Sequence, residues 1–255
     1  MFDLMYLEEK IDESPLSYDE IAEKLGISRT MLYHYRYGTR NIPSYRIGQL
    51  AKILNLDIGR LYMQEKEKLP LEVTVEEYCG TSRQVADRAR TTIGLDKGDK
   101  EVSDSYMRKL YLCEHSPIRT QMYIIKFVNL PYWVSVHLSR HNVGVTHFVS
   151  TQRTDRTGTT QRGEQDAPVT HEMVLNDQAI INISRKRLCA CASKETREAW
   201  QEAINKLAEI NQPLARCCVP DCVYRGHCYE HKSCGFHKTN KFLGAIDKYR
   251  EGINE

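Results

Sequence analysis

Two short apolar patterns separated by a single glycine constrain the first quarter of the chain more than any other feature. In SYDEIAEKLGISRTMLYHYRYGTRNIPS, Ser17 precedes Ile21, Ala22 and Leu25, which fall on one face at helical spacing. A serine there accepts backbone N–H groups that the first helical turn leaves unpaired. Gly26 makes the turn, because only glycine enters the left-handed region without cost. Ser28 caps a second helix reaching about Tyr37, and Gly38 stops it. Pro43 and Ser44 open a third helix, with Ile47, Leu50, Ala51 and Leu54 inward.

This pattern resembles the repressor-like helix-turn-helix. The resemblance leaves Arg29, Thr30, Tyr33 and His34 on the exposed side of the second helix, placed to meet a major groove. Between Lys24 and Arg60 there are seven Lys or Arg residues against one acid, Asp57. The whole chain carries a net charge of only +2, which excludes a uniformly basic coat and makes this a local basic face. Residues 1–62 are therefore read as a helix-turn-helix domain. Its stretch 17–62 is expected to bind duplex DNA, usefully only when an oligomer presents two copies; a dimerisation module is the alternative. MQEKEKLPLE, residues 63–72, reads as a polar linker. No apolar run suits a membrane span and the first residues do not form a signal peptide, so a cytoplasmic protein without a membrane partner is expected. In that compartment the nine cysteines are thiols or metal ligands rather than disulfides.

Beyond the linker the patterning changes. Val102–Cys113 is amphipathic at helical spacing, and Gln121–Val128 is a β-rich run suited to a buried strand. Pro131–His141 fits either element, and Arg153–Asp166 reads as a polar, mobile loop. Leu175–Lys186 and Ser193–Ile210 read as helices, the second burying Ala199, Trp200, Ala203, Ile204 and Leu207. Gln178 and Asn182, four residues apart, share one helix face. Neutral amides suit the alternating donors and acceptors of an isoalloxazine or uracil edge. Arg140 and Arg187 offer planar forks for phosphate. No GxGxxG follows a strand, so a Rossmann crevice is not supported.

RHNVGVTHFVSTQR, residues 140–153, resembles the signature of flavin-dependent thymidylate synthases, R-H-R-x-x-S followed after four residues by S-x-R. Arg140, His141 and Ser150 match it in type and spacing. EHSPIRT (114–120), ARTT (89–92) and LNDQAIINISRKRLCACASKETREAW (175–200) resemble further segments of the family in order, with Asn176, Asn182, Arg187, Glu195 and Arg197 in register. The resemblance covers residues 73–212. It implies an α+β fold and a homotetramer that holds FAD between subunits. It also implies one-carbon transfer to C5 of dUMP, with NADPH and methylenetetrahydrofolate as co-substrates and no protein nucleophile. On this resemblance Ser116, Arg140, His141, Asn142, Asn176, Gln178 and Asn182 touch FAD. His137, Ser150, Gln152, Arg153 and Arg187 touch dUMP or a related pyrimidine nucleotide. Several positions depart from the family: Asn142 and Gln152 stand where it has arginines, Val145 replaces a serine, Phe148 an acid, His137 a glutamine and Gln178 another arginine. Fewer positive charges point to altered chemistry, such as hydroxymethylation, or to an inactive nucleotide-sensing DNA-binding regulator.

Residues 213–255 form a Cys/His-rich tail whose CCVPDCVYRGHCYEHKSCGFH, residues 217–237, holds five cysteines and three histidines. A structural zinc site is expected from Cys222, Cys228 and Cys234 with Cys218 or His237 as the fourth ligand; packed, unligated thiols are the alternative. Cys189 and Cys191 read as separate, buried small residues.

Overall fold

Ser17 and Glu20 exchange hydrogen bonds across one helical turn: the Glu20 amide donates to Ser17 Oγ at 3.3 Å and the Ser17 amide to the Glu20 carboxylate at 2.7 Å. This reciprocal cap starts a helix from local chemistry alone. The computed structural model describes residues 3–61, 69–158 and 163–251. The chain divides into two units, Met1–Leu69 and Pro70–Glu255. The described elements of the first are all helices: α1 (Leu4–Asp12), α2 (Tyr18–Leu25), α3 (Arg29–Arg36), α4 (Ser44–Leu54) and α5 (Ile58–Leu61). Gly26 is left-handed as the turn requires, with φ 61°. Helix α1, not anticipated from the sequence, supplies Tyr6, Leu7 and Ile11 to the core of Ile21, Leu25, Leu32, Leu50 and Leu61.

The second unit is α+β. A four-stranded antiparallel sheet in the order β1-β2-β4-β3 is built from β1 (Glu72–Cys79), β2 (Met122–Pro131), β3 (Val145–Val149) and β4 (Pro168–Asn176). Strand β2 buries Tyr123, Ile125 and Phe127 at alternate positions, and β4 buries Val169, His171, Met173 and Leu175. Its helices are α6 (Ser82–Thr91), α7 (Asp104–Leu112), α8 (Tyr132–Ser139), α9 (Thr154–Thr157), α10 (Asp177–Arg187), α11 (Lys194–Ile210), α12 (Gln212–Ala215), α13 (Asp221–Arg225) and α14 (Asn240–Arg250). The indole of Trp200 is fully buried and donates to Ser184 Oγ at 2.9 Å, tying α11 to α10. No described helix is long and apolar enough to cross a membrane.

Several local expectations change. Residues 63–68 of the expected linker lie outside the described residues, and Glu72 already opens β1. Strands β1, β3 and β4 were not anticipated because polar or charged residues alternate with their apolar ones, and β1 buries only Val73. Leu175 and Asn176, expected in a helix, end β4; the helix starts at Asp177 because Asn176 Oδ1 accepts the Ala179 amide at 2.9 Å. The ambiguous Pro131–His141 segment is split, with Pro131 ending β2 and Tyr132–Ser139 helical. Within the expected loop, Thr154–Thr157 form one helical turn, and 159–162 lie outside the described residues. Leu214, Ala215, Cys217 and Cys218, placed by sequence in the tail, belong to the main core of the unit.

Asp177 is fully buried in the first turn of α10 with neither carboxylate oxygen hydrogen-bonded. A helix N-terminus favours a carboxylate by less than about 2 kcal/mol, whereas unpaired burial of the charge costs several. Burial accordingly drives this carboxyl well above its ordinary 3.8, opposed in part by Tyr111 and reinforced by the charge of Glu77. The folded chain therefore binds more protons here than the unfolded chain above pH 3.8. This group's contribution to stability is full below 3.8 and is lost as pH rises towards the folded value. Asp177→Asn should gain about 1–3 kcal/mol in urea unfolding at pH 7.5 and nothing at pH 3.5. Equal effects at both pH values would show that Asp177 is charged and solvated.

Candidate functional site

The turn from β4 into α10 organises the site. Asn176 caps α10 with its side chain while its own amide donates to the Gly144 carbonyl at 3.2 Å. Gly144 has φ 73°, and a Cβ there would lie 2.8 Å from Asn176 Nδ2, so only glycine lets the loop approach this closely. Helix α10 then places Gln178 and Asn182 one turn apart on one face, Gln178 Nε2 donating to Asn182 Oδ1 at 3.4 Å. Gln178 Nε2 also donates to Glu114 Oε2 at 2.6 Å, and Arg185 pairs with the same carboxylate. Burial alone would raise the Glu114 carboxyl, but the hydrogen bonds from Arg185 and Gln178 hold it below its ordinary value. Glu114, Gln178 and Asn182 line an open cavity of about 450 Å³ together with Arg119, Val143, Gly144 and Asn176. Gln178 Oε1 is buried there without a partner.

A second cluster surrounds the far end of α10. Arg187 Nε donates to His141 Nε2 at 2.9 Å, and an Nη of the same group donates to the His137 carbonyl. His141 must then be neutral, with its proton on Nδ1. Burial, followed by the charges of Arg187 and His147, lowers its pKa to about 4. His147 Nε2 stands 2.6 Å from the His141 carbonyl, and His147 Nδ1 stands 3.0 Å from His171 Nε2. His171 is fully buried and its Nδ1 has no partner. Burial, with His147 adding, lowers its pKa to about 4 as well. His137 bonds Thr196 Oγ1 through Nδ1 at 3.1 Å, and burial, then Arg187 and Arg140, lower its pKa. A neutral imidazole and a backbone carbonyl thus hold a guanidinium whose charge is opposed by burial and by Arg140. Arg187 Nη1 and the exposed Arg140 fork make no hydrogen bond within the described residues, so both can receive an anion.

The structure brings Asn176, Gln178 and Asn182 to one cavity, and His137, His141 and Arg187 to the adjoining cluster. Ser116 is exposed at the start of a 3-10 turn (Ser116–Thr120) and does not line the cavity; Arg119 of that turn does. Asn142 is exposed and outside it. Ser150 Oγ accepts the Thr170 amide at 3.0 Å, pinning the end of β3 to β4. The Gln152 amide packs against Gly163, and Arg153 pairs with Asp155 at 2.7 Å on the surface. Glu114 and Arg119 were missed although EHSPIRT contains both; nothing in the string shows that the Glu114 backbone turns left-handed, φ 51°, and aims its carboxylate at α10.

The other candidate residues fall elsewhere. On α3, Arg29 pairs with Asp19 at 2.9 Å and His34 Nδ1 bonds Thr39 at 2.7 Å, while Thr30 and Tyr33 are exposed. Arg36, one of the basic residues of this stretch, is turned to Glu8 and Asp12 of α1 at 2.9 and 2.7 Å. The expected zinc set does not assemble. Cys218 packs in the main core and donates to the Leu214 carbonyl at 3.4 Å, because α12 carries it beneath α7 and α11 rather than out with the tail. Cys222, Cys228, Cys234 and His237 instead surround a cavity of about 140 Å³ with Cys189, so the separation of Cys189 from the tail thiols is corrected. Among the described residues no three His, Cys, Asp or Glu side chains are disposed to hold a metal ion. All nine cysteines are free.

A helix-turn-helix family model matches residues 7–61. No curated protein matches the sequence. Among solved structures, a UMP/dUMP methylase, PolB, from Streptomyces cacaoi bound with 5-Br dUMP aligns at 12% identity and TM-score 0.46, covering 57% of this chain and 94% of that chain. Thymidylate Synthase X from Helicobacter pylori with FAD and dUMP aligns at 14% identity and TM-score 0.48, covering 58% of this chain and 99% of that chain.

The lowered histidines set a pH dependence. His141 and His171 fall from 6.5 to about 4 on folding, so the unfolded chain binds more protons between those values. Their contribution is full above pH 6.5 and is lost as pH falls towards 4. Urea midpoints should decline across that window, and His171→Gln should flatten the decline. An unchanged slope in the variant would show that His171 is protonated in the fold.

Proposed function

We propose that residues 70–255 bind a uracil nucleotide monophosphate beside FAD and transfer a one-carbon unit to C5 of dUMP, with NADPH and methylenetetrahydrofolate as co-substrates, in a homotetramer. One observation carries the reading: helix α10 presents two neutral amides at one end and, at the other, a guanidinium fork held by His141 with one nitrogen unspent. The donor set fits a flavin. Gln178 Oε1 is a buried acceptor without a partner, which an imide N–H of an isoalloxazine would satisfy. Gly144 lets the loop close against the Asn176 side chain at the cavity's edge. On this reading Asn176, Gln178 and Asn182 hold FAD and Arg119 faces its phosphates. Bound FAD supplies the redox chemistry of the reaction. The protein's share is to orient the rings and neutralise phosphate through Arg187 and Arg140.

Equilibrium dialysis should show FAD bound to the purified oligomer. Arg187→Ala should weaken dUMP binding by about 2 kcal/mol, roughly thirtyfold, and leave FAD binding nearly unchanged. A folded oligomer that takes up no FAD would defeat the enzyme reading, and equal loss of both ligands would misassign Arg187.

A second reading concerns residues 17–62, supported by the exposed Thr30 and Tyr33 on α3 and by the helix-turn-helix match. We infer that this face meets duplex DNA in the assembled oligomer, with Arg40, exposed and unpaired in its side chain among the described residues, on phosphate. Arg40→Ala should weaken binding to all duplexes and reduce the salt slope by about one, whereas Arg29→Ala should relax sequence preference. Selection from random duplexes that enriches nothing, with salt-insensitive binding, would leave the domain as an assembly module.

A further inference from the structure

His147 and His171 are assigned no role by the resemblance, yet they are linked to Arg187 through His141, whose carbonyl meets His147 and whose ring meets Arg187. The hydrogen bonds admit one neutral arrangement and, with one proton added, a cation on either ring. The His141 carbonyl can only accept, so His147 Nε2, at 2.6 Å, carries a proton in each. If His147 is neutral, its Nδ1 is a lone pair and His171 Nε2, at 3.0 Å, must donate to it. If His147 is cationic, its Nδ1 donates, and the His171 proton must shift from Nε2 to Nδ1. His171 Nδ1 has no partner in the fold, so it is an orphan acceptor in the neutral state and an orphan donor in either cation. Neither charge state is better satisfied, and the two differ by one proton.

The surroundings choose between them. The titratable groups acting on His141 are Arg187 and His147, and the one acting on His171 is His147; no carboxylate is among them. Arg140 adds its charge against Arg187 and His137. With two arginines and no carboxylate acting around His141 and His137, the empty cluster disfavours a further cation. An anion on the fork reverses the sign, since it neutralises the arginines and attracts one more positive charge. The chain lacks two arginines of the signature it resembles, having Asn142 and Gln152 there, so an induced charge would make good part of that deficit.

We propose that His147 and His171 form a proton-accepting pair that becomes charged when a phosphate occupies the Arg187 fork, so that nucleotide binding takes up a proton. The added proton comes from solvent and leaves His171 Nδ1 protonated, whichever ring carries the charge; no covalent bond to the ligand forms. The proposal rests on the nucleotide reading of this cluster for its natural ligand, but not for its chemistry.

Calorimetric titration of the full chain at pH 7.5, in buffers of different ionisation enthalpy, measures this uptake directly. Binding of dUMP should take up a measurable fraction of a proton, and sulfate, which does not titrate, should do the same. The second ionisation of a phosphate, near 6, would release protons on binding and so has the opposite sign. Deoxyuridine, which lacks the phosphate, should bind without uptake. His147→Gln keeps a donor towards the His141 carbonyl and His171→Gln keeps one towards His147, but neither can shift a proton; both should lose the uptake while retaining dUMP affinity within about tenfold. Imidazole nitrogen resonances of the wild type should report an unprotonated His171 Nδ1 that becomes protonated as the anion is added. If dUMP binds with no proton uptake, or the uptake survives both variants, the proposal is overturned and the nucleotide reading stands. If sulfate is bound with uptake but no uracil nucleotide binds, the proposal stands and the nucleotide reading falls. Failure of both anions to bind overturns both.

Discussion

The cap at Asn176 is the interaction on which the site depends. A single side-chain oxygen takes the Ala179 amide, and the amide of the same residue reaches back to Gly144. The first bond ends β4 and starts α10; the second fixes the loop that carries Arg140 and His141 against that helix. Because α10 rises about 1.5 Å per residue, fixing its first turn also fixes the height and face of Gln178, Asn182 and Arg187. The Trp200–Ser184 bond then holds the middle of the helix to α11. A loss at the cap would tilt every functional group of α10 together.

Charge in this unit is arranged by partnering rather than by number. Arg185 is spent on Glu114 and stacks 3.5 Å above the Tyr224 ring, whereas Arg187, two residues on, meets only neutral acceptors. A guanidinium held by an imidazole and a carbonyl keeps its full charge for a ligand, while one held by a carboxylate does not. The helical unit shows the same rule. Acids on α1 hold the largely buried Arg36, so the basic stretch between Lys24 and Arg60 presents fewer free charges than its composition implies.

What the sequence determined by itself is what local chemistry determines. The helix starts at Ser17 and Ser28 come from side chains bonding amides three residues away, and the Gly26 turn from the absence of a Cβ. The shared face of Gln178 and Asn182 follows from helical periodicity. Tertiary structure decided the rest, because the partners are far apart in the chain. Strands β1, β3 and β4 are half polar and acquire strand geometry only through pairing with neighbours. Glu114 joins the site across 64 residues, and Cys218 left the expected thiol set because α12 packs into the main core. The chain of His171, His147, His141 and Arg187 spans two strands, a loop and a helix. Hydrogen-bond direction in such a chain is set by which atoms meet, and no spacing along the sequence records that.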